Sequence, residues 1–256
     1  MATNTPSEVP TQFILLGASN LARARYGIQK YLEKIFASDS VSTLIASGPG
    51  RAYCVTGGIF LVNYHPLKNS PAINLGRYKS LEFYQTVALI SDIGNDIMYG
   101  VPVQKIIRDL DKLIHELSHF CSHVFVIPIP CKKIEQLSNW KINLLKKLLF
   151  PKSQLSPENI ISSVHAINHF LSQLQNPRVT VLETMDDSIG WDHVHYGIFK
   201  MHTAWAQIIA QITKELPNLH NGRINQALMF RSFIDYWKNI IFRDIIPIIS
   251  KGQKFY

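Results

Sequence analysis

The segment Phe13-Ile14-Leu15-Leu16-Gly17-Ala18-Ser19-Asn20-Leu21 decides the fold. Four apolar residues run into a glycine, and a stretch of helical period opens at Leu21, so a buried strand passes through a short turn into a helix. The same pattern recurs outward from it. Thr43–Ala46, Thr86–Ser91, Val124–Ile129 and Val179–Glu183 read as further strands. Leu21–Phe36, Val103–Phe120, Ile134–Leu149, Pro157–Leu174 and Ile198–Lys214 read as helices. Pro128 and Pro130 end the fourth strand, and Pro217 stops the last of these helices. The alternation predicts an α/β fold, a three-layer α/β/α sandwich around a five-stranded parallel sheet. Val55–Leu81, rich in glycine, proline and scattered aromatics without clear period, reads as a long loop near the site.

In such sheets, ligands bind beyond the carboxyl ends of the strands, so the residues just after each strand carry the functional reading. Ser19 stands at the first of these ends, where its hydroxyl is exposed and its amide shares space with a helix N-terminus. Both suit a nucleophile that also stabilises an oxyanion, although this segment taken alone reads more readily as a helix cap at Ser19 or Asn20. The second strand leads into Ser47-Gly48-Pro49-Gly50-Arg51, where a glycine amide can approach a substrate oxygen unobstructed; Gly48 and Gly50 both qualify. The third leads into Ser91-Asp92-Ile93-Gly94-Asn95-Asp96, where the Asn95 amide can donate to an oxyanion or build an Asx turn. After the fifth comes Gly190-Trp191-Asp192-His193-Val194-His195-Tyr196. An Asp three residues before a His can bring its carboxylate to Nδ1 and leave Nε2 as a base. His193 reads as structural, its side chain directed elsewhere.

These blocks, GASN at Gly17–Asn20, the glycine at Gly50, GND at Gly94–Asp96 and DHVH at Asp192–His195, resemble blocks I, II, III and V of the SGNH (GDSL-like) hydrolases, in the usual order over about residues 12–215. The resemblance implies a flavodoxin-like sandwich and hydrolysis of an ester or thioester through an acyl-enzyme, without metal or cofactor. It implies Ser19 as nucleophile, His195 as base, Asp192 as its orienter, and an oxyanion hole from Ser19, Gly50 and Asn95. The sequence departs from the family where Ala18 replaces the usual Asp of block I, Ile93 the first glycine of block III, and Tyr196 a common proline. These departures bear on subfamily and substrate, a small-molecule, lipid or glycan ester, more than on chemistry. The alternative from another class is a non-catalytic binding or membrane-associating protein that retains the fold.

A rival motif, His115-Glu116-Leu117-Ser118-His119, spells the HExxH pattern of zinc proteases. The apolar stripe of its helix, Val103, Ile106, Leu110, Leu113, Leu117 and Phe120, puts both histidines on the opposite, solvated side, and a third ligand is missing.

The chain of 256 residues, 46% hydrophobic, can bury a large core. Three cysteines, Cys54, Cys121 and Cys131, argue against a disulfide framework, and Cys54 and Cys121 read as packing residues. The polar first dozen residues lack the pattern of a secretory signal, no apolar run suits a membrane span, and a cytoplasmic protein is expected. A net charge of +8 comes without any nucleic-acid signature, so no nucleic-acid partner is expected. Residues 1–215 form the hydrolase-like domain in this reading, and 216–256 a helical extension. Between Arg223 and Tyr256, Met229, Phe230, Phe233, Trp237, Ile241 and Ile245 recur at helical spacing. Packing on the main domain or a homodimer contact is expected, with peripheral binding to an anionic membrane as the alternative.

Overall fold

The computed structural model describes residues 9–36, 40–59, 62–150, 153–216 and 224–245. Five strands, β1 (Thr11–Leu16), β2 (Val41–Ala46), β3 (Gln85–Ile90), β4 (His123–Val126) and β5 (Val179–Val181), form one parallel sheet in the order β2-β1-β3-β4-β5. This is the flavodoxin-type order, with the reversal of direction between β1 and β3. Leu16 pairs with Ala46 on one side and with Ile90 on the other, so three strand ends lie level. β1 and β3 are buried along their whole length, which explains why residues 13–16 and 87–90 are continuous apolar runs rather than alternating ones.

The two faces of the sheet feed separate cores. Phe13, Leu15, Val87, Leu89 and Phe125 point toward α1 (Ser19–Ile35) and α8 (Met201–Glu215). Ile14, Leu16, Ala88, Ile90, Val124 and Val126 point toward α2 (Pro71–Lys79), α4 (Val103–Phe120) and α7 (Pro157–Ser172). Cys54 and Cys121 are buried and free.

Three expectations are corrected. The segment expected as a long loop contains α2, capped by Ser70, whose hydroxyl accepts the Ala72 amide, with Pro71 at the first helical position. Ser-Pro at a helix start is a recognisable signal, and the helix is held by burial of Ile73 and Gly76 against the sheet. The single helix expected over Ile134–Leu149 is two, α5 (Lys132–Glu135) and α6 (Asn139–Leu149), because Leu137 turns into the core and Ser138 adopts an extended conformation at the start of α6. Near the C-terminus, α9 (Gln226–Lys238) runs into a π-helical stretch, Asn239–Ile245; residues 246–256 and the side chains of Arg243 and Ile245 lie outside the description. The face of α9 that packs on α1 also differs from the stripe expected: Met229, Ser232, Tyr236 and Ile240 are buried, and Phe230, Trp237 and Ile241 are exposed. Met229 sits against Gly27, and the Ser232 hydroxyl donates to the Arg23 carbonyl at 2.9 Å, so a polar residue occupies a buried position.

Candidate active site

β1 ends at Leu16, and α1 begins at Ser19 with no side-chain cap from its own chain neighbours. The helix start is capped from a distance instead. Asp92, just past β3, accepts the amides of Ala18 at 2.8 Å and Leu21 at 3.1 Å through Oδ2, and the Asn20 side chain at 2.9 Å through Oδ1. A carboxylate at a helix N-terminus gains from the orphan amides and from the helix dipole. Asp92 takes the left-handed conformation, φ 58°, to reach them. Gly17 permits the close approach of β1 to β3, since a Cβ there would collide with Ser91 Oγ. With the capping done by Asp92, the Ser19 hydroxyl serves elsewhere.

That hydroxyl lies 2.8 Å from Nε2 of His195, and Nδ1 of His195 lies 2.8 Å from Oδ2 of Asp192. The other oxygen of Asp192 accepts the amides of Val194 at 3.2 Å and His195 at 2.9 Å, closing a tight turn. Burial alone would raise the Asp192 pKa. The His195 hydrogen bond and charge and the two amides outweigh it and hold the carboxyl at about 2. The carboxylate is therefore ionised and can only accept, so Nδ1 carries the hydrogen between them and Nε2 is the nitrogen that faces Ser19. The loop that presents His195 is braced at its base, where the Gly190 amide donates to the His195 carbonyl at 2.7 Å and Gly197 to Ser188 at 2.9 Å.

Asn20 ties the two halves together. Its Nδ2 donates to Asp92, and its Oδ1 accepts the Tyr196 amide at 2.9 Å. The structure thus brings Ser19, Asp192 and His195 together as the sequence suggests, and it adds Asn20 and Asp92 as the groups that fix their spacing. His193, expected to point away, borders the same cavity as Ser19, in a left-handed conformation with φ 57°.

Asn95 and Gly50 stand on neighbouring loops. Nδ2 of Asn95 donates to the Arg51 carbonyl at 2.9 Å, which pins the Gly50–Arg51 turn beside α3 (Asn95–Met98) and uses one of the two amide hydrogens. Gly50 has φ 70° and lies against Gly58 and Ile59, so only glycine suits the position. Arg51 itself is structural: its Nε donates to the His65 carbonyl, and its guanidinium lies over Tyr64. The fully buried Asp96 accepts the amides of Tyr53 at 2.7 Å and Cys54 at 2.8 Å, and the single Tyr53 hydroxyl hydrogen lies between the carbonyls of Ser91 at 2.7 Å and Leu16 at 2.9 Å. Burial raises the Asp96 pKa, against the pull of those amides. Tyr53 thus bridges the ends of β1 and β3, and Asp96 ties the loop after β2 to the one after β3, roles invisible in a sequence motif.

A cavity of about 130 Å³ opens beside Ser19 and Asn95. Its far walls are apolar, formed by Met98, Ile129, Ile134, Phe150, Ile160 and Val164. The HExxH histidines lie elsewhere, exposed on α4, with His119 Nδ1 against the His115 carbonyl at 2.7 Å and Glu116 paired with Arg77. Among the described residues no group of three or more His, Cys, Asp or Glu is arranged to hold a metal ion.

No family model and no curated protein matches the chain. Among solved structures, a Bacteroides fragilis protein described as an acylhydrolase superposes with a TM-score of 0.50 at 10% identity, over 82% of this chain and 90% of that one. The lipase/acylhydrolase of Enterococcus faecalis aligns at TM-score 0.47 and 14% identity, over 83% and 98%. A psychrotrophic esterase of Pseudoalteromonas aligns at 0.39 and 14%, over 91% and 98%. The architecture is a flavodoxin-like α/β/α sandwich, a fold this chain shares with the Bacteroides fragilis protein.

Proposed function

We propose that the protein is a serine hydrolase that cleaves an ester or thioester through an acyl-enzyme on Ser19. The observation that carries this reading is the chain of hydrogen bonds from Ser19 Oγ through His195 to Asp192, 2.8 Å at each link, at the mouth of an apolar cavity. Ser19 Oγ attacks the substrate carbonyl carbon as its proton passes to Nε2 of His195, and Asp192 stabilises the imidazolium that results. The tetrahedral oxyanion receives the amides of Ser19 and Gly50 and the second hydrogen of Asn95 Nδ2, each such donor being worth about a hundredfold to a thousandfold in rate. The bond to the leaving oxygen or sulfur then breaks, the imidazolium protonates the leaving group, and the acyl chain stays on Ser19. Water, deprotonated by His195, attacks this acyl-enzyme, releases the acid and returns the proton to Ser19.

Gly50 is favoured over Gly48 as the second amide because Asn95 is bonded to the carbonyl of the adjoining Arg51. The Bacteroides fragilis structure that shares this fold is described as an acylhydrolase, which agrees with this chemistry. The experiment is a panel of soluble acyl esters of increasing chain length, offered to the native chain and to Ser19→Ala. Turnover by the native chain alone supports the reading, and equal turnover by both, or by neither, overturns it.

A further inference from the structure

The α5–α6 segment walls the cavity beside Ser19, with Ile134 in α5 and Phe150 just after α6 among its lining residues. Residues 132–149 contain Lys132, Lys133, Lys141, Lys146 and Lys147 against one acid, Glu135. Five minus one gives +4, half of the chain's net +8. Glu135 lies 2.9 Å from His165 Nε2.

Along α6 the burial has one sense. Ile142 is buried, whereas Trp140 is 63% exposed and Leu144 56%. At 3.6 residues per turn, Trp140 and Leu144 stand one turn apart on the side opposite Ile142, with the exposed Lys141 and Lys147 on either flank. Lys141 Nζ sits 5.7 Å from the centre of the Trp140 ring. A helix that already buries Ile142 has no packing reason to hold tryptophan and leucine at the centre of its wet face. An apolar centre with lysines on both sides is the arrangement of a helix that lies in a lipid interface, the ring at headgroup depth and the ammonium groups reaching the phosphates.

We propose that this face of α6 docks the protein on an anionic lipid surface, Trp140 and Leu144 entering the headgroup–acyl boundary and Lys141 and Lys147 pairing with lipid phosphates. A nucleic acid would match the lysines and leave Leu144 without a partner. Docking through α6 brings the neighbouring apolar cavity near a surface that holds acyl chains; this consequence for substrate supply rests on the hydrolase reading, whereas the docking does not. No helix among the described residues is long and apolar enough to cross a membrane.

Vesicle flotation tests the proposal with the full chain carrying Ser19→Ala, which keeps the lipid intact and makes the outcome independent of catalysis. Retention is expected on phosphatidylcholine vesicles with roughly 30 mol% phosphatidylglycerol, little on phosphatidylcholine alone, with release at about 0.5 M salt. Trp140→Ser with Leu144→Ser, and separately Lys141→Glu with Lys147→Glu, are expected to weaken retention by roughly tenfold or more. In the Ser19 background, both pairs should leave the melting temperature and the turnover of a soluble acetyl ester unchanged. Absence of retention on anionic vesicles, equal retention of the variants, or stronger retention of an oligonucleotide at the same salt overturns the proposal.

Discussion

The Tyr196 amide donates to Oδ1 of Asn20 at 2.9 Å, a bond between the chain neighbours of His195 and Ser19 that runs beside the bond between those two residues themselves. The spacing of hydroxyl and imidazole is thereby set by a buried amide as well as by their own hydrogen bond. Asn20→Ala removes this bond and the one to Asp92 together. We expect a stability loss of about 1 to 3 kcal/mol, because the Tyr196 amide is left unpaired in a buried place. We also expect kcat to fall about tenfold to a hundredfold with KM little changed, as reacting groups lose alignment. Urea unfolding and steady-state kinetics check both; an unaltered kcat contradicts the assigned role.

Asp92 is the counterpart of Asn20, and its charge can be separated from its shape. In Asp92→Asn the remaining oxygen can still accept the Ala18 and Leu21 amides, but the new Nδ2 faces Nδ2 of Asn20, two donors with no acceptor between them. The variant should lose stability and kcat. The exchanged pair, Asn20→Asp with Asp92→Asn, restores a donor opposite an acceptor and keeps an acceptor for Tyr196, so it should recover at least half of the lost activity. A double-mutant cycle with zero coupling would count against the network.

Asp192 supplies a pH signature. Its carboxyl, held at about 2 in the fold against about 3.9 when unfolded, contributes stability that is present above pH 4 and is lost as pH falls through about 2. The shift corresponds to about 2.6 kcal/mol before solvent screening; for a group this exposed, about 1 kcal/mol is expected. The stability gap between the native chain and Asp192→Asn, measured in urea at successive pH values, should therefore be level near neutrality and close between pH 4 and 2. A gap independent of pH would contradict the ionised pairing.

The cavity makes a prediction about chain length. Val164 sits in its apolar wall, and Val164→Phe adds volume there. Turnover of an octanoyl ester relative to an acetyl ester should fall by roughly tenfold, since excluding about two buried methylenes forfeits about 0.8 kcal/mol each. An unchanged ratio would place the acyl chain elsewhere.

Much of this molecule is legible in its sequence because the relevant physics is local or periodic. β1 and β3 are buried on both faces and show as apolar runs at residues 13–16 and 87–90, and the Asp192–His195 pairing is fixed by one turn. Other features depend on what folding brings together. The Asn20–Asp92 contact joins residues 72 apart, and neither residue type announces a tertiary cap. The exposed and buried faces of α9 were misassigned by periodicity because Ser232, a polar residue, finds its partner in the Arg23 carbonyl and takes a core position. The helix at Pro71–Lys79 carried a readable signal in Ser70-Pro71, which weak amphipathic period around it obscured.

The central claim, that Ser19 is an activated nucleophile, is tested most directly by intact-mass measurement after reaction with a fluorophosphonate probe, followed by peptide mapping. The account predicts a single adduct on the peptide containing Ser19, abolished in Ser19→Ala and strongly slowed in His195→Ala. Absence of an adduct on the native chain, or labelling that persists undiminished in Ser19→Ala, would contradict it.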